Sequence, residues 1–381
     1  MSAPYLTPAR LSSLVRTAPF WTAFLLPPVV IFAATQGGWT LWLMPVCAWW
    51  LFGGLDLAIG RDLENADPET TDIHLWGYRL ITTLWVPVQF LTLFGLIWYA
   101  APAVHLTGWE KLTLFLGVGI MTGTIGINFS HELMHQSNKV ERWMADLLLA
   151  MVLYSHFRSE HLLVHHRYVA TPRDAVTARY NEGFYRFFAR VLTECLASAF
   201  RAEARLQSRK SRPWTHLSNP FWRYWLLQTF MLGLAGLLGG WTGLGLFLFQ
   251  AAIAIWQLEL VNYVEHYGLT RRHLGEGRYE HVHPRHSWNA SHRASNRLLI
   301  NLQRHSDHHY RPDRRFPLLQ TYGEDDAPQL PHGYPMMTIA AMIPPLWRRM
   351  MNPRVRAWRR HFYPDITDWK PYFKGGLPLP K

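Results

Sequence analysis

The chain has 381 residues and a formal net charge of +12; 49% of its residues are hydrophobic and only 17% are charged. This composition excludes a disordered protein, because there is ample apolar surface to bury. The only two cysteines are Cys47 and Cys195, which excludes a disulfide scaffold, a zinc ribbon and an iron–sulfur cluster held by this chain. The distribution of charges along the chain is therefore the next source of information.

Long stretches of the chain lack Asp, Glu, Lys and Arg. The longest are 17–55, with 39 residues, and 224–258, with 35 residues. A spanning helix needs about 20 apolar residues, so each of these stretches can supply two spans joined by a glycine-containing turn. A soluble helical protein would not contain such long charge-free stretches. The sequence predicts an all-α membrane protein with six transmembrane helices near 19–36, 39–58, 79–100, 110–131, 221–240 and 243–265. The apolar segment 143–157 is too short to span, which predicts a re-entrant or interfacial helix.

The basic residues are concentrated in two long segments outside these spans. Residues 136–220 and 269–381 together hold 32 of the 38 Lys and Arg residues. The positive-inside rule places both segments and both termini in the cytoplasm, as a helical cap on a single membrane domain covering 1–381. We expect a multi-pass protein of the bacterial inner membrane. No nucleic-acid recognition module accompanies the basic charge, so no nucleic-acid partner is expected.

Histidines are clustered where the charge-free stretches meet the predicted cytoplasmic segments. Residues 131–135 read HELMH, 161–166 read HLLVHH and 305–309 read HSDHH, and a further histidine ends the last predicted span. Side chains three or four residues apart on a helix share one face. The candidate metal ligands are His131, His135, His161, His165, His166, His266, His305, His308 and His309.

Nine imidazoles are too many for one metal ion, because a structural zinc takes four ligands and a catalytic zinc takes three. Two metal ions fit the count, and imidazole suits iron, copper, nickel and zinc alike. Iron is the natural choice for oxygen chemistry on a hydrocarbon held in an intramembrane cavity. The HExxH match at 131–135 keeps open a zinc hydrolase in which Glu132 activates water. A metal-transport or metal-storage protein would need polar residues within the spans, whose central parts contain almost none.

The three boxes resemble those of the membrane fatty-acid desaturase and hydroxylase superfamily. Within it, the chain is similar to the integral-membrane alkane 1-monooxygenases, through NYVEHYGL at 262–269 and LQRHSDHH at 302–309. The resemblance implies two non-haem iron ions held by the nine histidines, O2 as co-substrate, and terminal hydroxylation of alkanes to 1-alkanols. It also implies reduced rubredoxin as electron donor, with a NADH-dependent rubredoxin reductase upstream. A fatty-acyl desaturase or hydroxylase, and a methyl-aromatic monooxygenase of the xylene type, remain alternatives that use the same site.

Two residues inside the boxes depart from the family pattern. Met134 and Val164 stand where typical members of the family have glycine. No ligand position is altered, so the metal site is expected to be intact. Larger side chains close to the metals are expected to change the size and identity of the substrate instead.

Acidic residues beside the boxes are candidates for support of the ligands, since a ligating imidazole usually donates its second N–H to a carboxylate or carbonyl. The metal ligands are the only catalytic groups predicted. The candidates for supporting carboxylates are Glu132, Glu160, Asp174, Glu265 and Asp307.

The hydrophobic substrate is expected to bind in a channel among the spans. The electrons that the reaction consumes are expected to come from outside this chain. The predicted channel residues are Trp49, Trp50, Phe52, Ile120, Thr124 and Ile127. A basic cytoplasmic face suits either an acidic electron carrier or the head groups of the membrane lipid. The arginines predicted to form that face are Arg271, Arg272, Arg311, Arg314 and Arg315.

Overall fold

Helices make up nearly all of the regular structure. A computed structural model describes residues 16–369 and 372, and this part of the chain contains three isolated β-bridges but no sheet. The predicted all-α class is confirmed. The helices are α1 (Ala18–Gln36), α2 (Gly38–Ile59), α3 (Asp72–Ala100), α4 (Gly108–Met134), α5 (Lys139–Ala150), α6 (157–168), α7 (Phe184–Ser208), α8 (Phe221–His266), α9 (Arg293–Leu298), α10 (His305–Tyr310), α11 (Tyr334–Ala341) and α12 (Pro344–Phe362).

Five of these helices, α1 to α4 and α8, are long and apolar enough to cross a membrane. The first four coincide with the first four predicted spans. Helix α8 has 46 residues and covers both remaining predicted spans, but Gly240 within it has φ 58° and ψ −148°. A β-carbon on Gly243 would lie 2.7 Å from the carbonyl oxygen of Ala235, whereas eight residues of straight helix extend about 12 Å. The chain therefore folds back at Gly240, and α8 has two arms.

Glycines and a capping residue fix the turns between the first helices. Gly37 and Gly38, between α1 and α2, have φ of 67° and 59°, a region that favours glycine. The amide of Gly38 donates to the Glu110 carboxylate at 2.8 Å. Glu110 also completes a capping box with Thr107 at the start of α4. One side chain thus joins the α1–α2 turn to the beginning of α4.

The apolar segment 143–157 dips into the helix bundle, as a re-entrant segment does. Helix α5 ends at a tight turn in which Leu153 has φ 54°. The carbonyl of Met151 at the tip accepts a 2.8 Å hydrogen bond from Gln250, in the second arm of α8. The Gln89 side chain, on α3, contacts the sulfur of Met151 at 3.7 Å. Two buried glutamines therefore satisfy the polar tip of this segment within the bundle.

Three helices widen into π-helical turns, at 46–51, 122–127 and 161–165. Such turns are rare and frequently lie at functional sites. Each of the three contributes residues to the same internal cavity, through Ala48, Thr124 and His161 among others. The three π-helical turns thus all lie beside one internal cavity.

A second apolar cluster lies where α7, α11 and α12 pack against the end of α8. Phe187, Tyr263 and Trp347 are completely buried in it, and the ring centroids of Tyr263 and Trp347 are 5.2 Å apart. Burial of such rings contributes a large share of packing energy. The cluster holds the last turn of α8 in place.

Candidate metal centre

The nine box histidines come together at one end of the bundle. They are supplied by the ends of α4 and α8 and by the short helices α6 and α10. Their ring nitrogens form two groups, and within each group the ligand atoms lie within 4.8 Å of one another. The first group is His131, His135, His161, His166 and His308, and the second is His165, His266, His305 and His309.

The nitrogens of the first group face one another directly. The Nε2 atom of His161 lies 3.0 Å from Nε2 of His135 and 2.9 Å from Nε2 of His166. The Nε2 atoms of His308 and His166 are 3.0 Å apart. The rings of His131 and His308 have centroids 4.3 Å apart, which places His131 in the same cluster.

The second group repeats this arrangement. The Nε2 atom of His305 lies 3.1 Å from Nε2 of His266 and 3.0 Å from Nε2 of His309. The ring of His165 packs against those of His266 and His309, with centroids 4.6 and 4.8 Å away. All four side chains are buried.

The π-helical turn at 161–165 explains how one box serves both groups. In a regular helix His161 and His165, four residues apart, would share a face, whereas a π turn brings together residues five apart. His161 accordingly faces His166, and His165 turns toward the second group.

The donor set fits metal ions. Two imidazole nitrogens about 2.1 Å from one ion and at right angles lie about 3.0 Å apart, which matches the distances within each group. Burial lowers the pKa of His135 to about 3 and lowers the pKa of His308 strongly as well. The rings of His135 and His308 are therefore neutral, and each has a nitrogen lone pair available for a metal. Five donors in one group and four in the other fit two ions.

One predicted supporting carboxylate contacts a box histidine on the side away from the cluster. The Oδ2 atom of Asp174 accepts a hydrogen bond from Nδ1 of His165 at 2.9 Å. The same oxygen accepts from the Thr177 hydroxyl at 2.7 Å, and Oδ1 accepts from the amide of Val176 at 3.0 Å. The contact fixes the tautomer of His165, so that its Nε2 lone pair points into the second group.

A second predicted carboxylate lies beside the ligand nitrogens themselves. The Oε2 atom of Glu265 is 3.3 Å from Nε2 of His305, and its Oε1 accepts a 2.9 Å hydrogen bond from the hydroxyl of Tyr334. Burial raises the pKa of Tyr334, so its hydroxyl remains a donor. Sequence reasoning missed Tyr334, because it is 69 residues away from Glu265 in the chain and carries no local signal.

The other three predicted supporting carboxylates have different surroundings. Both oxygens of Glu132 are occupied, by the side chain of Gln136 at 3.0 Å and the amide of Phe316 at 3.2 Å. This arrangement does not fit Glu132 as the free base of a zinc hydrolase. The oxygens of Glu160 are buried and have no hydrogen-bond partner among the described residues. Burial and the nearby Asp174 raise the pKa of Glu160.

Asp307 organises the loop after the third box instead of a ligand. Its carboxylate accepts hydrogen bonds from Arg314 at 2.6 Å, Tyr322 at 2.6 Å and the amide of Gln320 at 3.0 Å. Asp307 is completely buried. It therefore ties the loop to α10, the helix that carries His305.

An apolar cavity leads from the bundle to both histidine groups. It encloses about 740 Å³ of space free of protein atoms, part of it open to the outside. His131 and His161 of the first group and His305 of the second lie on its wall. Sequence reasoning missed its polar residues Asn128 and Asn262. Its apolar wall includes Leu258, Val261, Leu298, Leu299, Leu302 and Pro335.

Only some of the predicted channel residues lie on this cavity. Trp49, Thr124 and Ile127 line it. Trp50 is 59% exposed on the outside of the bundle, because the neighbouring Trp49 occupies the inward face of the π-helical turn. The other two predicted residues, Phe52 and Ile120, are buried in the packing between helices.

The arginines predicted for the basic face are mostly engaged within the protein. Arg271 is only 8% exposed and donates to the backbone carbonyls of Glu280 and Arg167. Arg272 pairs with Asp365. The remaining partners are Asp307 for Arg314, Asp72 and Glu141 for Arg315, and the ring of Tyr310 for Arg311.

An open surface depression reaches a different member of each histidine group from those on the cavity wall. His166 of the first group and His309 of the second form its floor. Arg167, on its rim, and the nearby Arg311 are exposed. The rest of the lining is Arg271, His281, Val282, His283 and Tyr310.

The fold and the site together define a class of protein. Helices able to cross a membrane surround an apolar cavity, and this cavity ends at two groups of histidines that fit metal ions. The chain is thus a membrane protein with a histidine-only candidate metal centre next to a site for a hydrophobic molecule.

Comparison with known proteins gives the family. The sequence model of the fatty acid desaturase family matches residues 107–340. Alkane 1-monooxygenase 2 of Pseudomonas aeruginosa is 39% identical over 352 residues, covering 84% of this chain and 92% of the relative. Alkane 1-monooxygenase 1 of the same organism is 40% identical over 309 residues, covering 80% of both chains. The xylene/toluene monooxygenase hydroxylase component of Pseudomonas putida is 32% identical over 244 residues, or 63% of both chains.

The chain therefore belongs to the alkane 1-monooxygenase family, within the fatty acid desaturase family. The resemblance inferred from the boxes is confirmed, and so is the class of enzyme, an alkane monooxygenase.

Proposed function

We propose that this membrane enzyme hydroxylates alkanes to 1-alkanols in an O2-dependent reaction at a centre of two iron ions. Reduced rubredoxin supplies the electrons, and a NADH-dependent reductase reduces the rubredoxin. The nine histidines of the two groups hold the metals, one ion in each group. Relatives of this chain are alkane 1-monooxygenases, which supports the reaction proposed.

One observation carries the proposal: a single apolar cavity ends at both histidine groups. His131 and His161 belong to one group and His305 to the other, and all three lie on the cavity wall. A hydrocarbon chain in the cavity would therefore end beside both metals. Leu258, Val261 and their apolar neighbours would hold the chain by burial of its methylene groups.

The protein's own residues keep the centre ordered and dry. Asp174 holds His165 by its Nδ1 proton, and the hydroxyl of Tyr334 orients the carboxylate of Glu265 toward His305. Bound iron would supply the activation of O2 that the hydroxylation of an alkane requires. The apolar wall excludes bulk water from the reacting methyl group.

The surface depression is the proposed docking site for the electron donor. His166 and His309 on its floor bring both groups close to the surface, and Arg167 and Arg311 are exposed nearby. These two cations suit an acidic carrier such as rubredoxin. Of the five arginines predicted earlier, Arg271 lines the depression but is buried, Arg272, Arg314 and Arg315 are paired with carboxylates, and Arg311 is the exposed one beside the depression.

The proposed topology has six spans in the bacterial inner membrane. The two arms of α8, near 221–240 and 243–265, would be the fifth and sixth spans, joined at Gly240. The termini and the segments 136–220 and 269–381 would form a cytoplasmic cap on the single domain, in agreement with their excess of basic residues. The metals would then lie at the cytoplasmic face, within reach of a soluble donor.

A reconstituted assay tests the function. Purified, iron-loaded protein is incubated with rubredoxin, its reductase, NADH and either n-octane or n-hexadecane, and the products are separated by gas chromatography. We expect an O2-dependent 1-alkanol from at least one of these alkanes. The absence of 1-alkanol at every chain length would refute the proposal, and an alkene product would favour a desaturase. A preference for xylenes over alkanes would favour a methyl-aromatic monooxygenase.

A further inference from the structure

Apart from Nδ1 of the candidate ligand His305, three polar atoms on residues of the cavity wall have no hydrogen-bond partner among the described residues. They are the indole Nε1 of Trp49, the hydroxyl oxygen of Thr124 and the amide oxygen Oε1 of Gln257. Gln257 is only 5% exposed. A buried polar group without a partner is unfavourable, so such a group beside a cavity indicates a ligand that supplies the missing hydrogen bond.

The three residues are neighbours and form one feature, which we call the polar collar. The ring of Trp49 packs edge-on against Trp256, the residue before Gln257, with centroids 6.2 Å apart. A β-carbon on Gly123, the residue before Thr124, would lie 3.0 Å from Cβ of Gln257. The α2, α4 and α8 helices thus bring a donor, a hydroxyl and an acceptor to the same level of the cavity.

The distance from the polar collar to the histidines corresponds to the length of a medium-length hydrocarbon chain. Thr124 precedes His131 by seven residues and Gln257 precedes Glu265 by eight, which corresponds to about 10–12 Å along the helices. Carbon–carbon bonds of about 1.5 Å advance an extended chain by about 1.25 Å each, so the span holds about nine bonds.

The charges of the residues around the cavity indicate which chemical group of a ligand would bind at the polar collar. No Lys or Arg occurs among the described residues that line the cavity, and its one carboxylate, Glu265, is at the histidine end. A carboxylate ligand would find no countercharge there. A neutral primary hydroxyl accepts from the indole N–H of Trp49 and donates to the amide oxygen of Gln257, which satisfies both.

We propose that a 1-alkanol of about nine carbons is a second substrate, bound with its hydroxyl at the polar collar and its methyl group at the histidines. This proposal rests on the proposed function. In the reaction, the terminal C–H bond breaks and a C–O bond forms with one atom of O2. The other oxygen atom leaves as water, with two electrons from reduced rubredoxin and two protons. The product is the α,ω-diol.

The ratio of two products tests this orientation. The complete enzyme is reconstituted with rubredoxin, its reductase and NADH and given 1-nonanol, and 1,9-nonanediol is compared with nonanal and nonanoic acid. We expect the diol to predominate in the wild type. One lost neutral hydrogen bond changes an equilibrium by about 2- to 10-fold, so Gln257→Met should lower the ratio of diol to C1-oxidised product by that factor.

Thr124→Val, which is nearly isosteric, is the second variant, and Leu248→Met, at an exposed position on the same arm of α8, is the matched control. Because both products come from the same enzyme molecules, partial misfolding lowers both amounts but leaves their ratio unchanged. Predominant oxidation at C1 in the wild type, or an equal ratio in Gln257→Met, Thr124→Val and Leu248→Met, would overturn the proposal.

Each reaction series includes n-nonane as a substrate, so that failure of the polar collar can be distinguished from failure of the proposed function. Conversion of n-nonane to 1-nonanol without diol formation from 1-nonanol refutes the role of the polar collar alone. Failure to oxidise n-nonane or any other alkane refutes the proposed function, and the inference with it.

Discussion

Asp174→Asn removes the contact between His165 and its supporting carboxylate. Asp174 accepts three hydrogen bonds, from Nδ1 of His165, the hydroxyl of Thr177 and the amide of Val176. In the asparagine variant the remaining oxygen can still accept from Val176. The new NH2 group then faces two donors, so the hydrogen bonds to His165 and Thr177 are both lost.

The size of the effect follows from the position of His165 in the second group. Loss of a carboxylate that supports a ligand imidazole lowers metal affinity by about 10- to 100-fold. This range corresponds to about 1.4–2.7 kcal/mol of binding free energy. The five donors of the first group include no residue held by Asp174, so only one of the two irons should bind more weakly.

The assay is a chelator titration of the iron-loaded enzyme, with iron counted per chain at each step. For Asp174→Asn we expect one iron to be released at a lower chelator concentration while the other stays at its wild-type position. The control is Asp146→Asn, since Asp146 is equally buried but is bound by Arg158 and Arg223. Simultaneous release of both irons at the wild-type concentration in Asp174→Asn would refute the reasoning.

Three further predictions concern the frame, the surface and the pH response. Gly333→Ala places a β-carbon in steric overlap with Oδ2 of Asp56 and should lower the thermal midpoint in detergent. Gly54→Ala, whose β-carbon would meet no atom within 4 Å, should change the thermal midpoint little. Arg167→Glu should raise KM for reduced rubredoxin most strongly at low salt, because exposed charges are screened at high salt; a KM equal to that of the exposed control Arg209→Glu would contradict this. Burial lowers the pKa of His286 to about 4 in the folded protein. At pH values between the ordinary histidine pKa and 4, the unfolded chain therefore binds a proton at His286 that the folded chain does not bind. Stability should therefore fall as the pH drops from 7 to 5, and His286→Gln should reduce that fall in thermal midpoint.

The sequence predicted the helical class and the clustering of the histidines because both depend on local patterns. Charge-free length indicates a span, and a spacing of three or four residues brings ligands to one helix face. The division of the histidines into two groups is not local. The neighbours His308 and His309 belong to different groups, and a π-helical turn separates His161 from His165.

Contacts between distant parts of the chain account for the rest of the differences. The basic character of Arg271 predicted an exposed cation, yet its guanidinium satisfies the carbonyls of Glu280 and Arg167. The link between Tyr334 and Glu265 joins α11 to α8. Trp49 and Trp50 are equivalent in the sequence, and only the packing of α2 decides which of them reaches the cavity.

The iron content of the purified enzyme tests the central claim most directly. Two irons per chain are expected in the wild type, with one lost in His308→Ala and the other in His309→Ala, since these neighbours belong to different groups. One iron per chain, zinc in place of iron, or an unchanged iron content in both variants would contradict the account.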